Sequence, residues 1–160
     1  GDITTPQFCD EVRRLCQCSV SDADIIWAWN ELLTGIPDAK KEALLALRRS
    51  GHRLFLLSNT NFMHWDKCAA DFFPYRDSEG HTYTATHFFE KIFLSCAMHL
   101  AKPDPTIFTE ALRQAGIKAE DTLFIDDRED NCQAAQSVGI TALHDPEGEI
   151  WFKGKVKREK

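Results

Sequence analysis

Apolar positions along this chain follow two different rhythms. Over residues 5–34 they recur at helical spacing. Thr5-Pro6 opens a first predicted helix with Phe8, Val12 and Leu15 on one face, since proline suits a first turn. Ser21-Asp22-Ala23-Asp24 opens a second, whose buried stripe is Ile25, Ile26, Trp29, Leu32 and Leu33 and which Thr34-Gly35 closes. Trp27 falls off that stripe and faces a neighbouring helix or a pocket.

Beyond the turn Gly35-Ile36-Pro37-Asp38, helices alternate with short continuous apolar runs. A helix over 40–49 carries Ala43, Leu44 and Leu47 and stops at Ser50-Gly51. The run Leu54-Phe55-Leu56-Leu57 has strand length and passes straight into Ser58-Asn59-Thr60-Asn61. A helix over 62–73 ends at Pro74, and 75–86 is a polar loop without clear periodicity. Further strands are predicted at 92–94, 122–125 and 140–143, with helices at 106–115 and 128–138 between them. Strands without polar alternation that alternate with helices predict an α/β chain: a Rossmann-like, doubly wound parallel sheet with right-handed crossovers.

Composition narrows the partners. At 160 residues the chain suits one domain, or one core with a small appendage, and its net charge of -6 argues against nucleic acid or an anionic membrane as an obligate partner. No apolar run approaches the roughly 18 residues of a membrane helix, so a soluble cytoplasmic protein is expected. The six cysteines show no Cys-x-x-Cys spacing and read as small core residues of a reducing compartment. The histidines His64, His81, His87 and His99 are dispersed, without metal-ligand spacing. The segment 153–160, five of whose eight residues are Lys or Arg, reads as a solvated tail.

The chemistry gathers at strand ends. Leu123-Phe124-Ile125 stops at Asp126-Asp127, two adjacent carboxylates that repel one another unless a positive group lies between them. A hard divalent cation such as magnesium, which takes oxygen ligands, is the resident that best meets this need, whereas one such acid alone would serve as a helix cap. Ser58 and Asn59 offer hydroxyl and amide donors suited to phosphoryl oxygens. Lys102, set before Pro103 in an X-Pro turn, is restricted enough to be aimed at a phosphate or carboxylate. In a parallel sheet all carboxyl ends share one edge, so Ser58, Asn59, Lys102, Asp126 and Asp127 would converge there. Donors, a cation and metal ligands are what phosphoryl transfer requires.

These motifs resemble those of the haloacid dehalogenase-like hydrolase superfamily. Leu-Leu-Ser58-Asn59-Thr60-Asn61 looks like its second motif, Lys102-Pro-Asp-Pro its third and Phe-Ile-Asp126-Asp127-x-x-x-Asn131 its fourth, in order over about residues 35–145. The resemblance is closest to the branch of sugar-phosphate phosphatases and epoxide hydrolase phosphatase domains. It implies part of a small helical cap at 1–36, an α/β core at 37–150 and a basic tail at 151–160. It also implies a magnesium-dependent phosphatase of a small phosphorylated metabolite. Ser58, Asn59 and Lys102 would bind the phosphate, Ser58 and Lys102 would assist catalysis, and Asp126 and Asp127 would ligate the metal.

The family's nucleophile is the first aspartate of an Asp-x-Asp pair ending a strand upstream of the cap. The Asp-x-Asp here, Asp22-Ala23-Asp24, precedes an amphipathic helix and reads as its N-terminus. The nucleophile segment is therefore expected to be absent from these residues, leaving the chain inactive alone. The family's topology would put that strand centrally, between those ending at Ser58 and Asp126, and the gap would be closed by re-pairing, by an upstream segment or by self-association. The alternative reading is a non-catalytic binding or scaffold module of the same fold that has lost its nucleophile. A receiver domain uses similar groups, but in an order that puts the acid pair first.

Overall fold

The computed structural model of the chain describes residues 1–152, so the basic segment 153–160, expected to be a solvated tail, lies outside the described residues. The chain folds into two compact units, Gly1–His99 and a second beginning at Leu100.

The first unit starts with the two expected helices. Thr4 and Gln7 form a reciprocal capping box on α1 (Thr5–Cys16), with Pro6 in its first turn. Ser21 Oγ accepts from Asp24 N at the start of α2 (Asp22–Asn30). This helix stops four residues before the predicted Thr34-Gly35. Its nine residues make about two and a half turns, so Leu32 lies past the last turn and is exposed, as is Trp29; of the predicted stripe, Ile25 is buried. On α1 the fully buried side chain is the small Cys9, while Leu15 faces solvent. Trp27 is exposed as well.

α3 (Asp38–Arg49) then leads to β1 (Phe55–Ser58), which pairs in parallel with β4 (Lys91–Leu94) so that Ser58 lies opposite Leu94. Between these strands, α4 (Phe62–Lys67) runs on into a wider turn over Cys68–Phe72, where Phe73 N reaches Cys68 O at 2.9 Å. The segment read as a loop is a small antiparallel hairpin, β2 (Tyr75–Arg76) and β3 (Thr82–Tyr83). Two-residue strands are too short to show alternation. What holds them is the Asp77 carboxylate, which accepts from the backbone N–H groups of Glu79 and His81 and from the Tyr83 hydroxyl. Short helices α5 (Ala85–Phe88) and α6 (Ser95–Met98) flank β4. The core of this unit is Leu45, Phe73, Ala85, Phe88 and Phe89, with Phe73 and Phe89 edge to face at 5.8 Å.

The second unit contains α7 (Pro105–Ala115), β5 (Leu123–Asp126), α8 (Glu129–Ser137) and β6 (Thr141–His144). Asp104 caps α7 and Gly116, in the left-handed region at φ +62°, ends it. β5 and β6 pair in parallel, with Asp126 opposite His144. Ile107, Phe108, Cys132, Ala135 and Ile140 form the buried layer, and Phe108 meets Phe124 edge-on at 5.1 Å.

Among the described residues the parallel strands form two ladders, β1–β4 and β5–β6, each with helices in the crossovers. The architecture is the Rossmann-like α/β class that the strand–helix alternation predicted. No helix among the described residues is long and apolar enough to cross a membrane.

Candidate active site

Each predicted site residue stands at or just beyond the carboxyl end of a strand or in the turn before a helix. In the first unit, Ser58 is the last residue of β1 and is half-buried; Asn59 follows it and is exposed. The next residues are pinned. Thr60 N donates to Ser95 Oγ at 2.9 Å, and Ser95 Oγ donates back to Thr60 O at 3.0 Å. Asn61 Oδ1 then accepts from His64 N at 2.9 Å, capping α4. The loop carrying Ser58 and Asn59 is thus stapled to the end of β4 and the start of α4.

In the second unit, Lys102 and Asp126 come together. Lys102 sits in a turn closed by Asp104 N to Ala101 O, and its Nζ lies 2.7 Å from Asp126 Oδ2. Both side chains are nearly sealed, 8% and 6% exposed. Asp126 Oδ1 accepts from Arg128 N at 3.0 Å and from Asn131 Nδ2 at 2.8 Å. Burial pushes the Asp126 carboxyl pKa up, but the Lys102 ammonium, the Asn131 amide and the Arg128 N–H together outweigh it and hold the group below the usual carboxylate range. The positive charge expected beside the acid pair is, on Asp126, supplied by a lysine. Asp127 is exposed, with its backbone carbonyl accepting from His144 Nε2 at 2.9 Å.

One polar atom here is orphaned. Asn131 is 3% exposed, and its Oδ1 has no hydrogen-bond partner although its amide N–H is committed to Asp126. A buried acceptor left unpaired is costly unless water or an ion meets it. Asp126, Asp127 and Asn131 all present oxygen, the donor that hard cations take. Among the described residues no group of three or more His, Cys, Asp or Glu side chains could hold a metal by itself. The set fits a cation that keeps several waters and takes one or two carboxylates from the protein, rather than one needing a full protein cage.

Asp22 and Asp24 lie in the first turn of α2, where Asp22 pairs with Arg13 at 2.6 Å and Asp24 accepts from Ser21 Oγ. They are helix-terminal acids, as the pattern predicted. Sequence reasoning missed Ser95 and His144 as site-supporting groups. Both are polar residues at a strand's carboxyl end, the same signal that picked out Ser58 and Asp126.

The fold and the acid–lysine site define a hydrolase of the haloacid dehalogenase type. The chain belongs to the haloacid dehalogenase-like hydrolase family, whose model matches residues 13–139. It is 28% identical over 153 residues to the D-ribitol-5-phosphate phosphatase of Bacteroides thetaiotaomicron, covering 94% of this chain and 70% of that protein. Among solved structures it resembles a HAD family enzyme from Bacteroides thetaiotaomicron, crystallised with magnesium and inorganic phosphate. That match has 42% identity and a TM-score of 0.86 over 93% of this chain and 72% of the other. A HAD-like family hydrolase from Porphyromonas gingivalis matches all of this chain and 76% of its own, at 31% identity and a TM-score of 0.85.

Proposed function

We propose that this chain provides the phosphate- and magnesium-handling residues of a phosphatase acting on a small phosphorylated metabolite, such as a sugar or polyol phosphate. The observation that carries this reading is the Lys102–Asp126 contact at 2.7 Å with the exposed Asp127 next in sequence. One carboxylate is fixed and neutralised while its neighbour is left open to a ligand. The relatives support the substrate class, one being a polyol-phosphate phosphatase and another a structure holding magnesium and inorganic phosphate.

Asp126 and Asp127 would hold the magnesium ion, and the unpartnered Asn131 Oδ1 beside them would be a further oxygen acceptor for the site. Magnesium, when bound, neutralises charge on the phosphoryl oxygens. By motif order Ser58 and Asn59 would donate hydrogen bonds to phosphoryl oxygens, and the clip from Ser95 to the Thr60 backbone would hold their loop. Lys102 adds positive charge and orients the anion; its donors point in a direction set by Asp126, so it serves as a fixed cation rather than as a base.

In this reading the phosphoryl group passes through an aspartyl-phosphate whose nucleophile lies outside residues 1–160. Asp22 and Asp24 are committed at the start of α2, and no other Asp-x-Asp occurs. A reaction without an in-line nucleophile gains positioning but no bond-making partner. A cytoplasmic setting is part of this reading, in keeping with cysteines that stand singly, without Cys-x-x-Cys spacing.

The test is magnesium titration by calorimetry on the full-length protein and on Asp127→Asn, followed by release of phosphate from a panel of sugar and polyol phosphates with magnesium or with chelator. Magnesium binding lost in Asp127→Asn and turnover abolished by chelator are expected. Equal magnesium affinity in the two proteins would sink the metal assignment.

A further inference from the structure

The two peptide groups that flank Asp127 are both held by the end of β6. In the parallel register His144 lies opposite Asp126. Asp145 N donates to Asp126 O at 2.9 Å, fixing the peptide before Asp127, and His144 Nε2 donates to Asp127 O at 2.9 Å, fixing the peptide after it. A carbonyl oxygen can only accept, so the imidazole must carry its proton on Nε2. The exit of β6 is itself anchored, because the Asp145 side chain, 1% exposed, accepts from the backbone N–H groups of Glu149 and Ile150 at 3.0 and 2.8 Å.

We infer that His144 is a positioning residue for Asp127: its Nε2–H bond to the Asp127 carbonyl holds the backbone of the exposed carboxylate in the geometry that receives magnesium. The inference rests on the metal reading above and adds to it a group outside the acid pair. The Asp126 carboxylate already accepts from the Lys102 and Asn131 side chains and from Arg128 N, and needs no such help. Asp127 has an exposed side chain, so its backbone is the part of the residue that neighbouring groups can hold. A ligand whose backbone is clamped loses less freedom on meeting the metal, and outer groups that orient ligands typically alter metal affinity about 10–100-fold. His144 is exposed, so its bond adds little to global stability and its loss should appear in metal affinity.

Magnesium titration of the full-length protein, His144→Ala, His144→Gln and Asp127→Asn tests this, alongside thermal melts in chelator. His144→Ala should bind magnesium about tenfold more weakly with an unchanged melt, and His144→Gln, which restores an N–H donor at similar reach, should recover most of the affinity. Parental affinity in His144→Ala, with binding lost in Asp127→Asn, would overturn the positioning role and leave the metal site standing; so would a glutamine variant as weak as alanine. Parental affinity in Asp127→Asn would bring down both. Should His144→Ala fail to fold, nitrogen NMR of the histidine-labelled parent decides: the Nε2–H tautomer of His144 is expected, and the Nδ1–H tautomer overturns the inference.

Discussion

Lys102 Nζ and Asp126 Oδ2 lie 2.7 Å apart with both side chains over nine-tenths buried, making them the best-sealed ion pair among the described residues of the second unit. Removing one member of such a pair leaves the other charge buried and uncompensated, which typically costs about 3–5 kcal/mol, whereas replacing both can be close to neutral. Lys102→Met should therefore lower the stability of the folded protein by about 3 kcal/mol. Lys102→Met combined with Asp126→Asn should cost clearly less than the two single changes added together. Urea denaturation of the four proteins measures this, and strictly additive losses would show that the pair is not energetically coupled.

The same pair sets an acid limit. The folded Asp126 carboxyl is held below its unfolded value of about 3.9. Its contribution is thus fully present above that unfolded value and is lost as pH falls through the lower, folded value. Carboxyl-carbon NMR should show Asp126 titrating below the ordinary aspartate range, and Asp126→Asn should flatten the acid limb of the stability profile. A carboxyl that titrates above that range would contradict the assigned contacts.

How much of this was legible in the sequence depended on element length. The apolar runs ending at Ser58 and Asp126 announced themselves because a buried parallel strand needs no alternation, and the structure places both at strand ends as read. α2 misled because Leu32 and Leu33 continue its apolar rhythm past Asn30, where the helix stops. The β2–β3 hairpin could not be seen, since two-residue strands carry no period and their anchor is a single carboxylate, Asp77. The Lys102–Asp126 contact joins residues 24 positions apart; motif order implied that both serve one chemistry, yet nothing local said that one would touch the other. Ser95 and His144 carried the strand-end signal, but their partners, backbone atoms on neighbouring elements, could not be read from the sequence.

The Ser95 clip predicts a split between stability and catalysis. Two neutral hydrogen bonds to the Thr60 backbone are together worth about 1–3 kcal/mol. Ser95→Ala should cost an amount in that range, measured by denaturation, and should also raise the KM of a phosphate substrate, because the loop carrying Ser58 and Asn59 becomes free to relax. Ser95→Thr, which keeps the hydroxyl, should restore much of both. A stability loss with an unchanged KM would make Ser95 purely structural.

The acids at the start of α2 supply the sharpest test of where the nucleophile lies. Asp22 and Asp24 are the only Asp-x-Asp pair of the chain, so they are the residues to which an aspartyl-phosphate mechanism confined to this chain would fall back. Their contacts argue against it. Asp22 is paired with Arg13 at 2.6 Å, and Asp24 shares a hydrogen bond with the helix-capping Ser21. Acids in a first turn complement the helix dipole and cap contacts at about 0.3–1 kcal/mol each. Asp22→Asn combined with Asp24→Asn should therefore cost roughly 1–2 kcal/mol of stability and leave magnesium-dependent turnover of the full-length protein essentially unchanged. Assaying phosphate release by the double variant against the parent, at matched folded fraction, decides the matter. A turnover loss of several orders of magnitude would move the reacting aspartates into α2 and overturn the assignment of the nucleophile to a residue outside this chain.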